Sequence, residues 1–182
     1  MSLQKVPAGR NIPDEINVII EVPMNSPAIK YEIDKDSGAI FVDRMLKTAM
    51  YYPCNYGYVP QSLCGDGDPL DVMVVLPLPL LPGTVIQCRP VGALQMKDEA
   101  GEDTKVLAVP ISDVTGIYRD ITTVDDVDKL LLDQIEHFFE HYKDLERNKW
   151  VRTGDWEGVE VARKEIIDSV ECYNALPVKP NF

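Results

Sequence analysis

Hydrophobic periodicity changes once along this chain, and that change limits the fold more than any other feature. Up to about residue 110 the apolar residues read as strands; after about residue 125 they fall at helical spacing. Residues 16–22 form a β-branched run closed by Pro23. Over 28–34, Ile29, Tyr31 and Ile33 alternate with Lys30, Glu32 and Asp34. Asp36-Ser37-Gly38 marks a turn before a strand over 40–46. The tyrosine-rich stretch 51–60 holds two prolines and a glycine, which predicts a structured loop or a short irregular strand. Residues 70–76 suit a buried strand, and 84–94 and 105–109 add two more. Then Val127, Leu130, Leu131, Ile135, Phe138, Phe139 and Tyr142 line one face of a helix whose start lies near Asp125 and Asp126. A second helix is expected over about 157–175, with Val159, Ala162, Ile166, Val170 and Tyr173 on one face. Strands followed by helices imply an α+β fold, with a small barrel or strongly curved sheet and helices packed outside it.

The 182 residues fit one domain spanning 1–182, and 45% hydrophobic content is enough for a sizeable core. No apolar run is long enough to span a membrane, and the first residues lack the apolar segment of a secretory signal. Cys54, Cys64, Cys88 and Cys172 show no CxxC spacing, which fits reduced thiols and a cytoplasmic location. A formal charge of -12 argues against general nucleic-acid binding. It leaves room for an anionic substrate, because bound metal and a few placed cations can reverse the local field.

Asp66-Gly67-Asp68-Pro69-Leu70-Asp71 places three carboxylates in one short turn. Two unit charges ~4 Å apart repel by about 4 kcal/mol at an effective dielectric of ~20. Such a group calls for a cation, and carboxylate oxygens suit hard divalent metals. The alternative is an ordinary solvated Asp/Gly/Pro turn. An EF-hand does not fit, because Asp71 stands where that loop needs Gly and Pro77 where it needs Glu. The turn runs directly into an apolar strand, so its last carboxylate lies near the core.

Asp98 and Asp103 form a second acidic pair on a hairpin-like connection. Alone it is a polar turn; beside the first cluster it offers what a multi-metal site needs. Arg44 shares strand parity with Ile40, Val42 and Leu46, so it is expected to point inward with them, as a site cation or half of a structural ion pair. Lys30 pairs in parity with Glu32, and Asp103 with Lys105; both pairs also suit a plain solvent face. Tyr142 and Lys143 end the first helix, where lysine is favoured electrostatically in any case. Tyr52 and Tyr56 also suit simple packing. His137 and His141 lie four apart on that helix without an HExxH pattern, which favours a helix face or subunit contact over a metal site.

Together these residues resemble the soluble inorganic pyrophosphatases of family I in their short bacterial form, over about residues 11–175. The Asp66–Asp71 run matches the family signature. Glu21, Lys30, Glu32, Arg44, Tyr52, Tyr56, Asp98, Asp103, Lys105, Tyr142 and Lys143 accompany it. The resemblance implies an OB-type five-stranded β-barrel with flanking α-helices, a cytoplasmic location and a homohexamer. His137, His141 and Asp144 are candidate subunit contacts by analogy. The implied activity is Mg²⁺-dependent hydrolysis of pyrophosphate, with three to four Mg²⁺ ions per site when substrate is bound. By resemblance Asp66, Asp71 and Asp103 hold two tight ions, with Asp71 bridging them. Asp98 and Asp103 hold a third, and Glu32 supports a fourth. Lys30, Arg44, Tyr56, Lys105, Tyr142 and Lys143 bind phosphoryl oxygens, Asp68 is the general base, and Glu21 and Tyr52 support the others.

The implied roles have a physical basis. Phosphoryl transfer gives a protein little covalent work beyond positioning and charge neutralisation. Two ions ~3.5–4 Å apart can share a water, lower its pKa and aim the hydroxide in line. Two other classes compete. A nucleic-acid-binding OB module is opposed by the acidic balance. An organic phosphatase working through an aspartyl-phosphate is suggested by Asp66-x-Asp68, but Pro69-Leu70-Asp71 and the lack of a βαβ pattern oppose it.

Overall fold

The computed structural model describes residues 3–180. Ten strands precede, separate or follow two α-helices: β1 Gly9–Asn11, β2 Glu15–Val22, β3 Ile29–Ile33, β4 Ile40–Met45, β5 Asn55–Tyr58, β6 Asp71–Val74, β7 Val85–Asp98, β8 Gly101–Glu102, β9 Lys105–Pro110, α1 Lys129–His141, β10 Val151–Glu157 and α2 Val159–Ala175.

Five of these strands close on themselves. β2 pairs with β5, β5 with β6, β6 with β9, β9 with β7, and β7 returns to β2. All the pairs are antiparallel except β6–β9. This ring is the five-stranded OB-type barrel expected above. Closure removes the exposed edges that an open sheet would present. Gly57 is needed for it, because a Cβ there would overlap the Ile19 carbonyl of the adjacent strand.

The central strands are apolar without alternation because both faces are covered. On β6, Val72 and Val74 join a cluster with Ala162 and Ile166 of α2, while Met73 packs with Phe138 and Phe139 of α1. β9 divides in the same way: Val106 and Ala108 go one way, Leu107 and Val109 the other. Each large apolar side chain buried here contributes roughly 1.5–3 kcal/mol.

Several expectations change. Of the two alternatives for the tyrosine-rich stretch the short strand is found, and residues 55–58 form a fully buried strand of the ring. The first helix begins after Asp128, whose carboxylate accepts the Leu131 N–H at 3.1 Å. Asp126 instead accepts the N–H groups of Thr122 and Thr123 at 2.8 and 3.0 Å, fixing a separate short turn. β10 interrupts the helical third by pairing with the far end of β7.

Arg44 does not point into a core. β3 and β4 form a two-stranded ribbon outside the barrel sheet, and Ile40 and Val42 are 46% and 56% exposed. Parity locates a core face only where something covers the strand: Leu46, of the same parity, is buried in the core, Arg44 faces the cleft, and Ile40 and Val42 lie open. No helix among the described residues is long and apolar enough to cross a membrane.

Candidate active site

One cleft, of about 370 Å³, gathers every site residue that the sequence singled out. Asp66, Asp68, Asp71, Asp98, Asp103, Glu21 and Glu32 bring the carboxylates. Lys30, Arg44, Lys105 and Lys143 bring cations, and Tyr52, Tyr56 and Tyr142 bring phenols. Lys35, Tyr58, Glu99 and Lys149 also line it and were not singled out.

Strand register explains the centre. β6 and β9 run parallel with Val72 beside Val106, so Asp71 and Lys105 start neighbouring strands at one end of the barrel. The buried Lys105 ammonium contacts Asp71 and reaches the Asp103 carboxylate at 2.5 Å. Burial works against its charge, but Asp71 and Asp103 outweigh this and raise the pKa. Asp103 is raised too, chiefly by burial, with Lys105 opposing.

The acidic turn is clamped from behind. Ser62, fully buried, donates to the Val59 carbonyl at 2.6 Å and accepts from the Leu70 N–H at 2.9 Å. Gly67 takes φ +94°, a left-handed conformation that glycine adopts without strain. The Asp68 N–H donates to Asp66 Oδ1 at 3.0 Å. Burial, then the neighbouring Asp66 and Asp71 charges, hold the Asp68 carboxyl above its ordinary value.

A second acidic arm lies at the β7–β8 connection. Lys143 Nζ reaches Asp98 at 2.7 Å, and Lys149 reaches Glu99 at 2.9 Å. Burial opposes ionisation of Asp98, but Lys143 and the Ala100 N–H hold its pKa below the usual value.

The third wall is the β3–β4 ribbon. Lys30 sits opposite Arg44 in its register and contacts Glu32, and both cations flank Asp43, at 3.5 and 3.2 Å. Glu21 ties this ribbon to the barrel. From β2 it accepts the Ile33 N–H at 2.9 Å and faces Lys35 at 3.7 Å. Burial pushes its carboxyl up to about 7, with Lys35 opposing.

Aromatic packing forms the floor. Tyr52 lies 4.6 Å from the Phe138 ring and 5.5 Å from Tyr56, and Phe138 stacks on Tyr142 at 5.2 Å. Burial, then Asp71 and Asp103, raise the Tyr56 phenol well above its usual value, so it remains a hydrogen-bond donor.

The His137 and His141 rings are 4.7 Å apart, outside the residues that line the cleft, and His141 Nδ1 meets Asp144 at 2.9 Å. Among the described residues, no three His, Cys, Asp or Glu side chains converge tightly enough to grip an ion. The donor set nonetheless suits hard divalent cations: Asp66, Asp71, Asp98 and Asp103 offer carboxylate oxygens only. Lys105 already places a positive charge between two of them.

Comparison with known proteins identifies the family. Residues 18–174 match the family model described as inorganic pyrophosphatase. An inorganic pyrophosphatase of Xylella fastidiosa is 60% identical over 178 residues, which cover 97% of this chain and all of that protein. One from Xanthomonas campestris is 58% identical over 175 residues, covering 96% of this chain and 98% of that protein. The solved structure of an inorganic pyrophosphatase from Coxiella burnetii superposes with a TM-score of 0.89 at 51% identity, covering 92% of this chain and 99% of that one. A family model that matches most of the chain, and relatives that share nearly its whole length, lead to one assignment: the chain belongs to the inorganic pyrophosphatase family.

Proposed function

We propose that this chain is an inorganic diphosphatase: it hydrolyses pyrophosphate to two orthophosphates, requires a divalent metal, and uses Mg²⁺ in that role. The observation that carries the metal requirement is the charge balance of the cleft. Eight carboxyl and six cationic side chains line it, a formal excess of negative charge. Pyrophosphate is itself strongly anionic, so the cleft alone repels it, and added cations reverse that field.

Asp66, Asp71 and Asp103 would hold two ions, Asp98 and Asp103 a third, and Glu32 a fourth. When bound, these ions neutralise phosphate oxygens and acidify the attacking water. The rest of the work belongs to the side chains. Asp68 takes the proton from that water; a carboxyl raised above its ordinary value is the better acceptor near neutral pH. Lys30, Arg44, Lys105 and Lys143 hold phosphoryl oxygens by charge-assisted hydrogen bonds. Tyr56 and Tyr142 donate phenolic hydrogens, and burial keeps both phenols protonated. Glu21 and Tyr52 act through others: Glu21 anchors the ribbon at Ile33, and Tyr52 supports Tyr56.

Residues 1–182 act as one domain in the cytoplasm and assemble as a homohexamer. Support for assembly comes from Phe41, Val42 and Met45, which are apolar and exposed on the ribbon. The test of the reaction is phosphate release in Mg²⁺ from pyrophosphate, a nucleoside triphosphate and a sugar phosphate. Release from pyrophosphate alone is expected, and equal rates on all three would refute the assignment.

A further inference from the structure

β3 ends at Ile33, and there the ribbon meets the barrel. The Ile33 side chain packs with Ile19 of β2, Tyr58 of β5 and Tyr173 of α2 in a buried cluster apart from the two large ones. Its N–H donates to Glu21 at 2.9 Å. Two residues on, Lys35 makes a second attachment. Its Nζ stands 4.0 Å from the centre of the Tyr58 ring and 3.7 Å from Glu21 Oε1. An ammonium within ~6 Å of an aromatic face is attracted by the ring quadrupole. Glu21 and Tyr58 are both buried, so this ammonium is screened by water less than one at an open surface. β2 and β5 pair with Ile20 beside Gly57, so Lys35 grips two adjacent strands of the closed ring.

The turn after β3 carries that grip into β4. The Asp34 N–H donates to the Ala39 carbonyl at 2.8 Å, the Gly38 N–H to the Asp34 carbonyl at 2.8 Å, and the Ser37 N–H to the Asp34 carboxylate at 2.8 Å. With the turn closed in this way, holding Lys35 holds the end of β3 and the start of β4 together. Lys30 lies three residues before Ile33, about 10 Å along the strand, and opposite Arg44. Beyond Arg44 the ribbon is held by Leu46, buried in the core. The placement of Lys30 and Arg44 therefore depends on an attachment at each end, one apolar and one built around Lys35.

We propose that Lys35 is a positioning residue: by holding the ribbon turn against Tyr58 and Glu21, it fixes where Lys30 and Arg44 meet pyrophosphate, without touching the substrate itself. The inference rests on the reading of Lys30 and Arg44 as groups that bind phosphoryl oxygens. The attachment does not, since it is a property of the free chain.

Steady-state phosphate release in Mg²⁺ and amide hydrogen exchange are measured on the full chain, on Lys35→Met and on Lys35→Arg. Methionine keeps the length of the side chain and removes its charge. Arginine keeps the charge and stacks on an aromatic face. Lys35→Met is expected to raise the KM for pyrophosphate ~5-fold with kcat changed less than ~2-fold, and to speed exchange over residues 29–45. Lys35→Arg is expected to restore both. Unchanged KM and exchange in Lys35→Met overturn the proposal. Raised KM with unchanged exchange also overturns it, because Lys35 then touches the substrate directly. A fall in kcat that Lys35→Arg shares overturns it as well. An inactive parent chain refutes the diphosphatase reading instead, and exchange still decides the attachment.

Discussion

The two sides of the cleft are built differently. The acidic side sits on the closed ring: Asp71 opens β6, Lys105 opens β9, and both strands are paired on each edge. The cationic ribbon that carries Lys30, Glu32 and Arg44 is a separate two-stranded sheet whose outer face is open. One side is held by ladders and a filled core, the other mainly by its own pairing and by anchors such as Glu21. Groups whose positions must be fixed to fractions of an ångström stand on the ring. Of the groups proposed to meet the anion, Lys30 and Arg44 stand on the softer element, while Tyr56 and Lys105 stand on the ring. Changes on the ring should therefore disturb chemistry and stability strongly, and changes on the ribbon should disturb binding with little effect on the fold.

The largest effect is expected at Asp68. Asp68→Asn should lower kcat by ~10²- to 10⁴-fold while leaving Mn²⁺ affinity nearly intact. Asp71→Ala should weaken Mn²⁺ binding more than Asp68→Asn does. Steady-state kinetics and calorimetric titration decide these points. Near-wild-type turnover removes Asp68 as the base, and equal affinities remove the bridging role of Asp71.

Next comes Lys105, buried between Asp71 and Asp103. Lys105→Met leaves two carboxylates without their partner and should cost about 3–5 kcal/mol in metal-free protein. Denaturant unfolding measures this, and a loss under 1 kcal/mol would show that the ring does not depend on that contact.

Glu21 joins the two sides, and its effect follows pH. Its folded-state pKa, about 7, lies above the unfolded value, so the folded form holds the proton longer. Its contribution is fully present below pH ~4.5 and is lost as pH rises toward 7, by about 3 kcal/mol at most. Glu21→Gln should flatten that decline. Parallel unfolding curves of the two proteins from pH 5 to 8 would contradict it.

The smallest effect is expected on the ribbon. Arg44→Lys loses the planar fork and should reduce kcat/KM about tenfold, with stability changed by less than ~0.5 kcal/mol. A large fall in Tm would mean that the ribbon is not the independent element described here.

The site was more legible than the fold around it. A carboxylate triplet beside Gly67 and Pro69 declares its chemistry in consecutive residues, and so does the Asp98 pair. Lys35 and Lys149 carried no such signal: one precedes an ordinary turn, the other follows an exposed helix end, and only folding brings them to the cleft. Glu99 was within reach, because it adjoins Asp98 in the same acidic turn. Among the strands, the buried runs at 16–22 and 70–76 were plain. β10 was not, since Val151–Glu157 is mostly polar and is specified by β7 rather than by its own pattern. Arg44 shows the limit of parity, because Ile40 and Val42 on its face of β4 lie open while Leu46 is buried and Arg44 faces the cleft.

Metal-dependent hydrolysis is read from phosphate release from pyrophosphate by the purified chain, first after chelation and then with Mg²⁺ restored. Negligible release is expected without the ion and rapid release with it. Equal rates in both conditions, or none in either, would contradict it.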